Sequence, residues 1–445
     1  MSADTLAFFG TAGDTYGGAT AYGGALPEHE PTVLGYGGGL YGERTYGGLV
    51  YDVVPRWVVQ ILRADGSWLD ATCDVREITV DRGRSSWVEA FKAGTATFTL
   101  ANFAGVYSTF PPDSVWLQPG GFVTDVPIRC GSVLKAELDW RFTGTTDAVV
   151  DSWPGTVDAV ATVTATDAFK QLARHNGGPR SPVGAGELSG ARITRLLNDA
   201  SYAGPRAIDV GNVGLQATDL NGVTIDLMRQ VGEAEWGWLY VRGDGTLAFR
   251  QRQVIDTDPR MVNVQAVFTD DDAIDGACYG DAQVASDSDR IVNVATVTPP
   301  GHSPSTFQSA TSVAWFGPRT WTRTDVPINA DVDALGLAQI VVQGGESDDQ
   351  RIDAVSFDAI HRPNNYATAQ AVRIGDRIRF VRTLPGGYQL DAELLTYGRK
   401  DVVVGGGGDG RPASWQVTLT TGSALSLANL ARWDEATWDD GIWGV

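Results

Sequence analysis

Short runs of alternating polar and apolar residues, closed off by glycine turns, constrain this chain more than any other feature. In GTATFTLAN, Ala96, Phe98 and Leu100 fall on one face and Thr95, Thr97 and Thr99 on the other. A period of two puts one set of side chains inside and the other outside, as a half-buried strand requires. WVVQILRADGSWLDAT repeats the pattern around Asp65-Gly66, a dipeptide that tolerates the positive φ of a tight hairpin turn. VPIRCGSVLKAEL and DAVATVTAT continue the series. The 54 glycines, plentiful Thr and Val, and scarce Lys favour short strands and many turns over long helices.

A chain of 445 residues exceeds one typical core and suggests several domains. Residues 1–50 read as a Gly/Tyr-rich N-terminal arm, 51–180 as a first β domain, and 181–255 as a small α/β domain. Residues 256–425 read as a second β domain, and 426–445 as a C-terminal tail rich in tryptophan. The expected fold is mainly β with an α+β insert and extended arms. TDAFKQLARHN predicts a short helix capped by Thr166 or Asp167, with Phe169, Leu172 and Ala173 on its buried face. LSGARITRLLNDA predicts a helix capped by Ser189, burying Ile193, Leu196 and Leu197. NGVTIDLMRQVGEAEWG places Leu227, Met228 and Val231 on one stripe. WGWLYVRGDGTLAFRQR predicts a hairpin around Gly243-Asp244-Gly245. Further on, RIVNVATV, TSVAWFG, RIDAVSFDAI, DRIRFVR, YQLDAELLTYGRK and SWQVTLTTG read as strands, with a helix at DALGLAQIVVQ and a loop tip at GGGGDGRP.

The formal net charge of −20 offers no basic stripe for duplex phosphates, so stable nucleic-acid binding is not expected. No apolar run approaches the roughly 20 residues of a membrane helix, and the first residues lack the pattern of a secretory signal, so synthesis in a cytoplasm without membrane insertion is expected. Cys73, Cys130 and Cys278 are distant from one another, and His29, His175, His302 and His361 are isolated. That pattern predicts reduced, mostly buried thiols and neither a disulfide framework nor a metal or cofactor site. No metalloprotease, nucleophile-elbow, P-loop or dinucleotide motif is present, and no enzyme activity is expected. The acids of FTDDDAID lack the alternation and central glycine of a calcium loop and read as a solvated turn. Trp236, Trp238 and Tyr240 alternate on a strand and could form a sugar platform, although such rows more often face a core or an interface.

The order of segments RGRSSWVEAFKAGTATFTLANFAGVYS, VPIRC, FTGTTDAVVDSWPGTVDAVATVTATDAFKQLARHN, SGARITRLLNDA and MRQVGEAEWGWLYVRGDGTLAFRQR resembles the minor tail proteins of siphophages that infect actinobacteria. More widely it is similar to the tail hub family, which includes baseplate hubs and tail-associated proteins. The resemblance spans residues 56–425. It implies two β-barrel domains similar to the tail-tube protein and a homotrimer whose ring is pseudo-sixfold. It also implies partners in the distal tail or tube-end protein, other minor tail proteins at the tip, and the tape measure protein. Location in the virion at the tail tip, around a DNA exit channel, follows from the same likeness. An acidic ring lumen would let DNA pass without adhesion. A glycan-binding or glycan-cleaving tail protein acting on the host cell surface is the alternative function.

Both ends lie outside the resemblance. Tyr16, Tyr22, Tyr36, Tyr41 and Tyr46 punctuate a glycine-rich segment that reads either as a linker or as an arm placing tyrosines in partner pockets. In RWDEATWDDGIWGV, Trp433, Trp438 and Trp443 recur every five residues, a spacing that fits neither a helix stripe nor one strand face. These tryptophans read as anchors for a neighbouring subunit, with a tail folded back on its own domain as the other reading.

Overall fold

A computed structural model describes residues 55–423, apart from 111–113, 119–120, 123–124, 136, 155–157, 179, 272, 286–289, 347–350 and 406–409. The chain opens with β1 (Arg56–Leu62), β2 (Trp68–Asp70), β3 (Val75–Gly83), β4 (Lys92–Ala101), β5 (Leu117–Gln118) and β6 (Gly121–Phe122). It continues with β7 (Pro127–Leu134), β8 (Glu137–Ser152), β9 (Val160–Thr166) and α1 (Phe169–Arg174). A section of short elements follows: β10 (Asn176–Gly177), β11 (Glu187–Leu188), α2 (Ser189–Asp199), β12 (Arg206–Ile208), β13 (Gly214–Leu215) and β14 (Gly222–Val223). Next come α3 (Thr224–Glu235), β15 (Trp238–Val241), β16 (Leu247–Arg250), α4 (Val254–Thr257), α5 (Pro259–Val262), β17 (Val264–Thr269) and β18 (Asp281–Ala285). A small unit holds β19 (Val294–Val297), β20 (Ser305–Gln308), α6 (Ala310–Phe316), β21 (Thr320–Arg323) and α7 (Asp331–Gly345). The last elements are β22 (Arg351–Asp358), α8 (Pro363–Ala371), β23 (Arg377–Thr383), β24 (Gln389–Gly405) and β25 (Pro412–Ser423).

Thirteen strands from both ends of the described chain share one sheet, ordered β18-β22-β25-β24-β3-β4-β9-β8-β7-β1-β2, with β23 pairing β24 and β17 pairing β23. All neighbours are antiparallel except β17 and β23. The alternation in β4 holds: Ala96, Phe98 and Leu100 are buried while the threonines are partly or fully exposed. The two tube-like barrels expected from the sequence would each need a closed pairing path. Among the described residues the path is open, and it runs through both halves.

The halves join where β3 pairs the second part of β24, from Gly83 opposite Gly398 to Glu77 opposite Val404. Earlier in the same strand, β24 pairs β23 from Gln389 to Leu395. Two glycines make this switch of partner possible. Gly83 sits at φ +114, and a Cβ there would lie 2.3 Å from Gly398 Cα and 2.4 Å from the Tyr397 carbonyl oxygen. Only glycine accommodates both the dihedral and the contact. The main core spans the junction, with Ile78, Phe98, Phe142 and Val163 from one half and Phe268, Phe357, Phe380 and Trp415 from the other.

A second core gathers α1, α2 and α3 with the β15–β16 hairpin, and also takes Ala295 and Val297 of β19 and Leu337, Ala338, Val341 and Val342 of α7. The stripe read on α3 is present: Met228 and Val231 are buried and Leu227 packs at the margin. The hairpin turn at Gly243-Asp244-Gly245 docks on β8, where Thr143 Oγ1 donates to the Gly243 carbonyl at 2.9 Å.

Two local expectations are corrected. TSVAWFG is the helix α6, not a strand. Ser309 Oγ accepts from Ser312 N at its start, and Gly317 at φ +71 ends it. End signals overrode an apolar run too short for periodicity to decide. Ser189 does not cap α2 through its side chain. Its hydroxyl instead donates to Glu235 Oε2 at 2.9 Å, tying the start of α2 to the end of α3.

Candidate interaction surfaces

The junction of the halves is filled by charge as well as hydrocarbon. Arg399 and Asp401 lie two residues apart on β24, so both side chains point to one face, and neither is exposed. Arg399 donates Nε and Nη2 to the two carboxylate oxygens at 2.8 and 2.7 Å, and Nη1 to the Val372 carbonyl at 2.6 Å. Trp415 Nε1 donates to the same carboxylate at 2.9 Å, and its ring meets Trp57 edge-on at 5.2 Å. Burial alone would raise the Asp401 carboxyl. The Arg399 charge and hydrogen bonds, with Arg141 behind them, outweigh burial and hold it below the ordinary carboxylate range.

Arg141 of β8 is also buried. It donates Nη2 to the carbonyls of Ala369 and Gln370 at 2.9 Å and Nε to Ser132 Oγ at 3.1 Å, fastening α8 to the first half. Burial and the neighbouring Arg399 cation depress its guanidinium. Asp167 closes the far side of β4. It accepts from Gly94 N at 2.6 Å and from Phe169 N at 2.9 Å, but it stands one residue before the N-cap of α1, which is Ala168 and not the expected Thr166 or Asp167. Burial outweighs these donors and pushes its carboxyl up to about 6.

A cluster of aromatic rings surrounds Arg84, in the loop between β3 and β4. Its guanidinium carbon lies 4.8 Å from the ring centres of Phe91 and Trp238 and 4.6 Å from that of Tyr397. Burial brings this cation down to about 10, so it stays charged at neutral pH. Beside it lies a small groove lined by Trp87, Glu89, Phe91, Arg229, Glu233 and Trp236. Trp87, Trp236 and Trp321 form an edge-to-face row at 5.7 and 6.2 Å. Of the row read as a sugar platform, Trp238 is buried under Arg84, while Trp236 ends α3 in the left-handed conformation, at φ +54.

An apolar rim occupies the other end of β4. Phe103 and Phe110 of the following loop are 68% and 77% exposed, and Val150 and Trp153 of the β8–β9 hairpin are 58% and 60% exposed. Asp151 links the two segments, accepting from Asn102 Nδ2 and Thr109 N, each at 3.3 Å. These exposed apolar side chains, on segments tied together through Asp151, form a candidate contact surface. The sheet also ends on open edges, with Trp68 on β2 and Val284 on β18 partly exposed.

All the site residues named from the sequence lie outside the described residues: Tyr16, Tyr22, Tyr36, Tyr41, Tyr46, Trp433, Trp438 and Trp443. Conversely, the rim and the Arg84 groove were not foreseen. Exposure of Phe110 or Trp153 has no mark in a sequence where buried aromatics look the same. No group of three or more His, Cys, Asp or Glu side chains among the described residues could hold a metal ion. Cys130 is buried, Cys278 half-buried and Cys73 exposed, and none forms a disulfide. No described helix is long and apolar enough to cross a membrane.

The fold has solved counterparts. The tail protein from Neisseria meningitidis MC58 matches with a TM-score of 0.56 at 11% identity, over 83% of this chain and 96% of that one. The 43 kDa tail protein of prophage MuSo2 from Shewanella oneidensis matches with a TM-score of 0.53 at 12% identity, over 83% of this chain and 98% of that one. At such identities the likeness is one of fold. No protein-family model and no curated protein sequence matches the chain.

Proposed function

We propose that this chain is a structural component of a phage tail, a hub at the tail tip. The observation that carries this reading is the fold itself, shared with two tail proteins over almost their whole length. Three copies form a ring in which the two β halves act as tube-like units and give pseudo-sixfold symmetry. The open edges at β2 and β18 suit that arrangement, because an unpaired edge invites another chain and a head-to-tail contact closes into a ring. The apolar rim of Phe103, Phe110, Val150 and Trp153 supplies a face for the tube-end or distal tail protein. Minor tail proteins and the tape measure protein are the further partners, and the ring frames the exit for DNA. The net charge of −20 keeps that passage free of adhesion. The role is scaffolding, without catalysis.

Native mass spectrometry of the purified chain tests the ring. Three copies of the 47.4 kDa subunit are expected. A chain that stays monomeric at every concentration reached in assembly would overturn the ring reading.

A further inference from the structure

The two halves repeat one strand plan. In the second half β22 lies between β18 and β25, β25 pairs β24, and the first part of β24 pairs β23. In the first half β4 lies between β3 and β9, β9 pairs β8, and the first part of β8 pairs β7. The match extends to an irregularity. The β24–β25 ladder shifts register between Thr396 and Gly398, where β24 leaves β23. The β8–β9 ladder shifts between Thr146 and Ala148, where β8 leaves β7. Both threonines are buried. A bulge at the same place in both ladders aligns the halves residue by residue. The row through Ala148 runs on to Thr164, Thr97 and Thr79. The row through Gly398 runs on to Thr420, Ala354 and Gln283. Gln283 of β18 therefore matches Thr79 of β3, and Ser152 of β8 matches Val402 of β24.

One contact of the plan is made only once. Beyond its bulge, β24 is covered on its second edge by β3, running antiparallel, with Val402 opposite Thr79. The matching stretch of β8, residues 147–152, has β9 on one edge and no described strand on the other. The match of β3, strand β18, has β22 on one edge and no described strand on the other. Each edge lacks what the other offers, and an unpaired edge invites a strand from another chain. Seven steps along the sheet separate β18 from β8 in one copy, where they do not pair. We infer that β18 of one copy pairs antiparallel with residues 147–152 of β8 in the next, in the register that β3 keeps on β24. Ser152 then faces Gln283, and the exposed Val150 and Val284 fall within the same contact. Each copy uses both edges once, so the contact is head-to-tail and can close into a ring. The inference rests on the ring of the proposed function. It assigns that contact to β8 and β18 rather than β2, and moves Val150 from the rim to the contact between copies.

Cross-linking of the full chain tests the pairing. Ser152→Cys/Gln283→Cys is made in a Cys73→Ser background, because Cys73 is the exposed native thiol. Ser152 and Gln283 are both exposed, so the fold should tolerate the exchange. Oxidation, or a short bis-maleimide, should link copies of the double variant on a denaturing gel. Either cysteine alone should link none, because a head-to-tail contact does not bring like residues together. Native mass spectrometry of the same sample separates the two readings. Three copies without a cross-link would overturn the pairing and leave the ring. A chain that stays monomeric and unlinked would overturn both, and a link within one copy would overturn the pairing. Val150→Lys/Val284→Lys gives a second measurement. Like charges on the joined edges should weaken self-association about tenfold, with the urea midpoint nearly unchanged, since both valines are largely exposed. Self-association equal to that of the parent would count against the pairing as decisively as a missing cross-link.

Discussion

Replacing Asp401 by alanine should be among the most damaging single changes in this fold. The carboxylate accepts three hydrogen bonds, two from Arg399 and one from Trp415 Nε1, with no exposure of either ion. Its loss strands Arg399 in a site that already holds the buried Arg141 cation, and leaves an indole N–H unpaired. Breaking a buried ion pair costs about 3–5 kcal/mol, and an orphaned indole donor adds about 1–3 kcal/mol. The two losses share one site and overlap, so about 4–6 kcal/mol is the expected sum. With an m-value near 3 kcal/mol/M, the urea midpoint followed by tryptophan fluorescence should fall by more than about 1 M. Removing both charges together, in Arg399→Met/Asp401→Leu, should cost less than the single change, because no ion is left unpaired. The folded-state carboxyl lies below its unfolded value, so its contribution is present above the ordinary carboxylate pKa and lost as pH falls through the folded one. The gap between the parent and Asp401→Ala should therefore close below about pH 4. A single change costing under about 1 kcal/mol, or a double change worse than the single one, would refute this account of the junction.

Gly83→Ala should lower stability by several kcal/mol, because the new Cβ meets Gly398 backbone at a dihedral that disfavours alanine; a urea midpoint within error of the parent would contradict it. Asp167 has the opposite pH sign to Asp401. Its folded carboxyl is raised to about 6, so its favourable contribution is complete below the ordinary carboxylate range and lost as pH rises through 6. Asp167→Asn should flatten the stability profile between pH 4 and 6, measured by thermal unfolding across that interval. Phe110→Ser/Trp153→Ser should leave the urea midpoint nearly unchanged, since both side chains are mostly exposed, yet reduce incorporation into particles; normal incorporation would remove the rim from the list of contact surfaces.

The sequence made much of the strand inventory legible, because period-two runs and Asp-Gly turns act locally. The hairpins β1–β2 and β15–β16 follow from Asp65-Gly66 and Gly243-Asp244-Gly245, and β4 from its alternating threonines. What joins the halves was not legible. The pairing of Gly83 with Gly398 spans over 300 residues, and nothing near either glycine announces the other. The ion pair at Arg399 and Asp401 resembles any surface alternation in RKDVVV until β25 and α8 cover it. Ser189 misled because a serine ahead of a helix usually caps it, and the competing acceptor, Glu235, lies on another helix. The candidate surfaces divide in the same way. Composition pointed to the two ends of the chain, while the rim and the Arg84 groove arise from folding, which alone decides that Trp153 is exposed and Trp238 buried.

Location in an assembled particle tests the central claim most directly. Antibody raised against the purified chain and bound to intact virions should, in electron micrographs, mark the tip of the tail at a single site per particle. Label on the head, label spread along the tail, or particles that never bind the antibody after the tip is exposed by partial disruption would contradict a tail-tip hub.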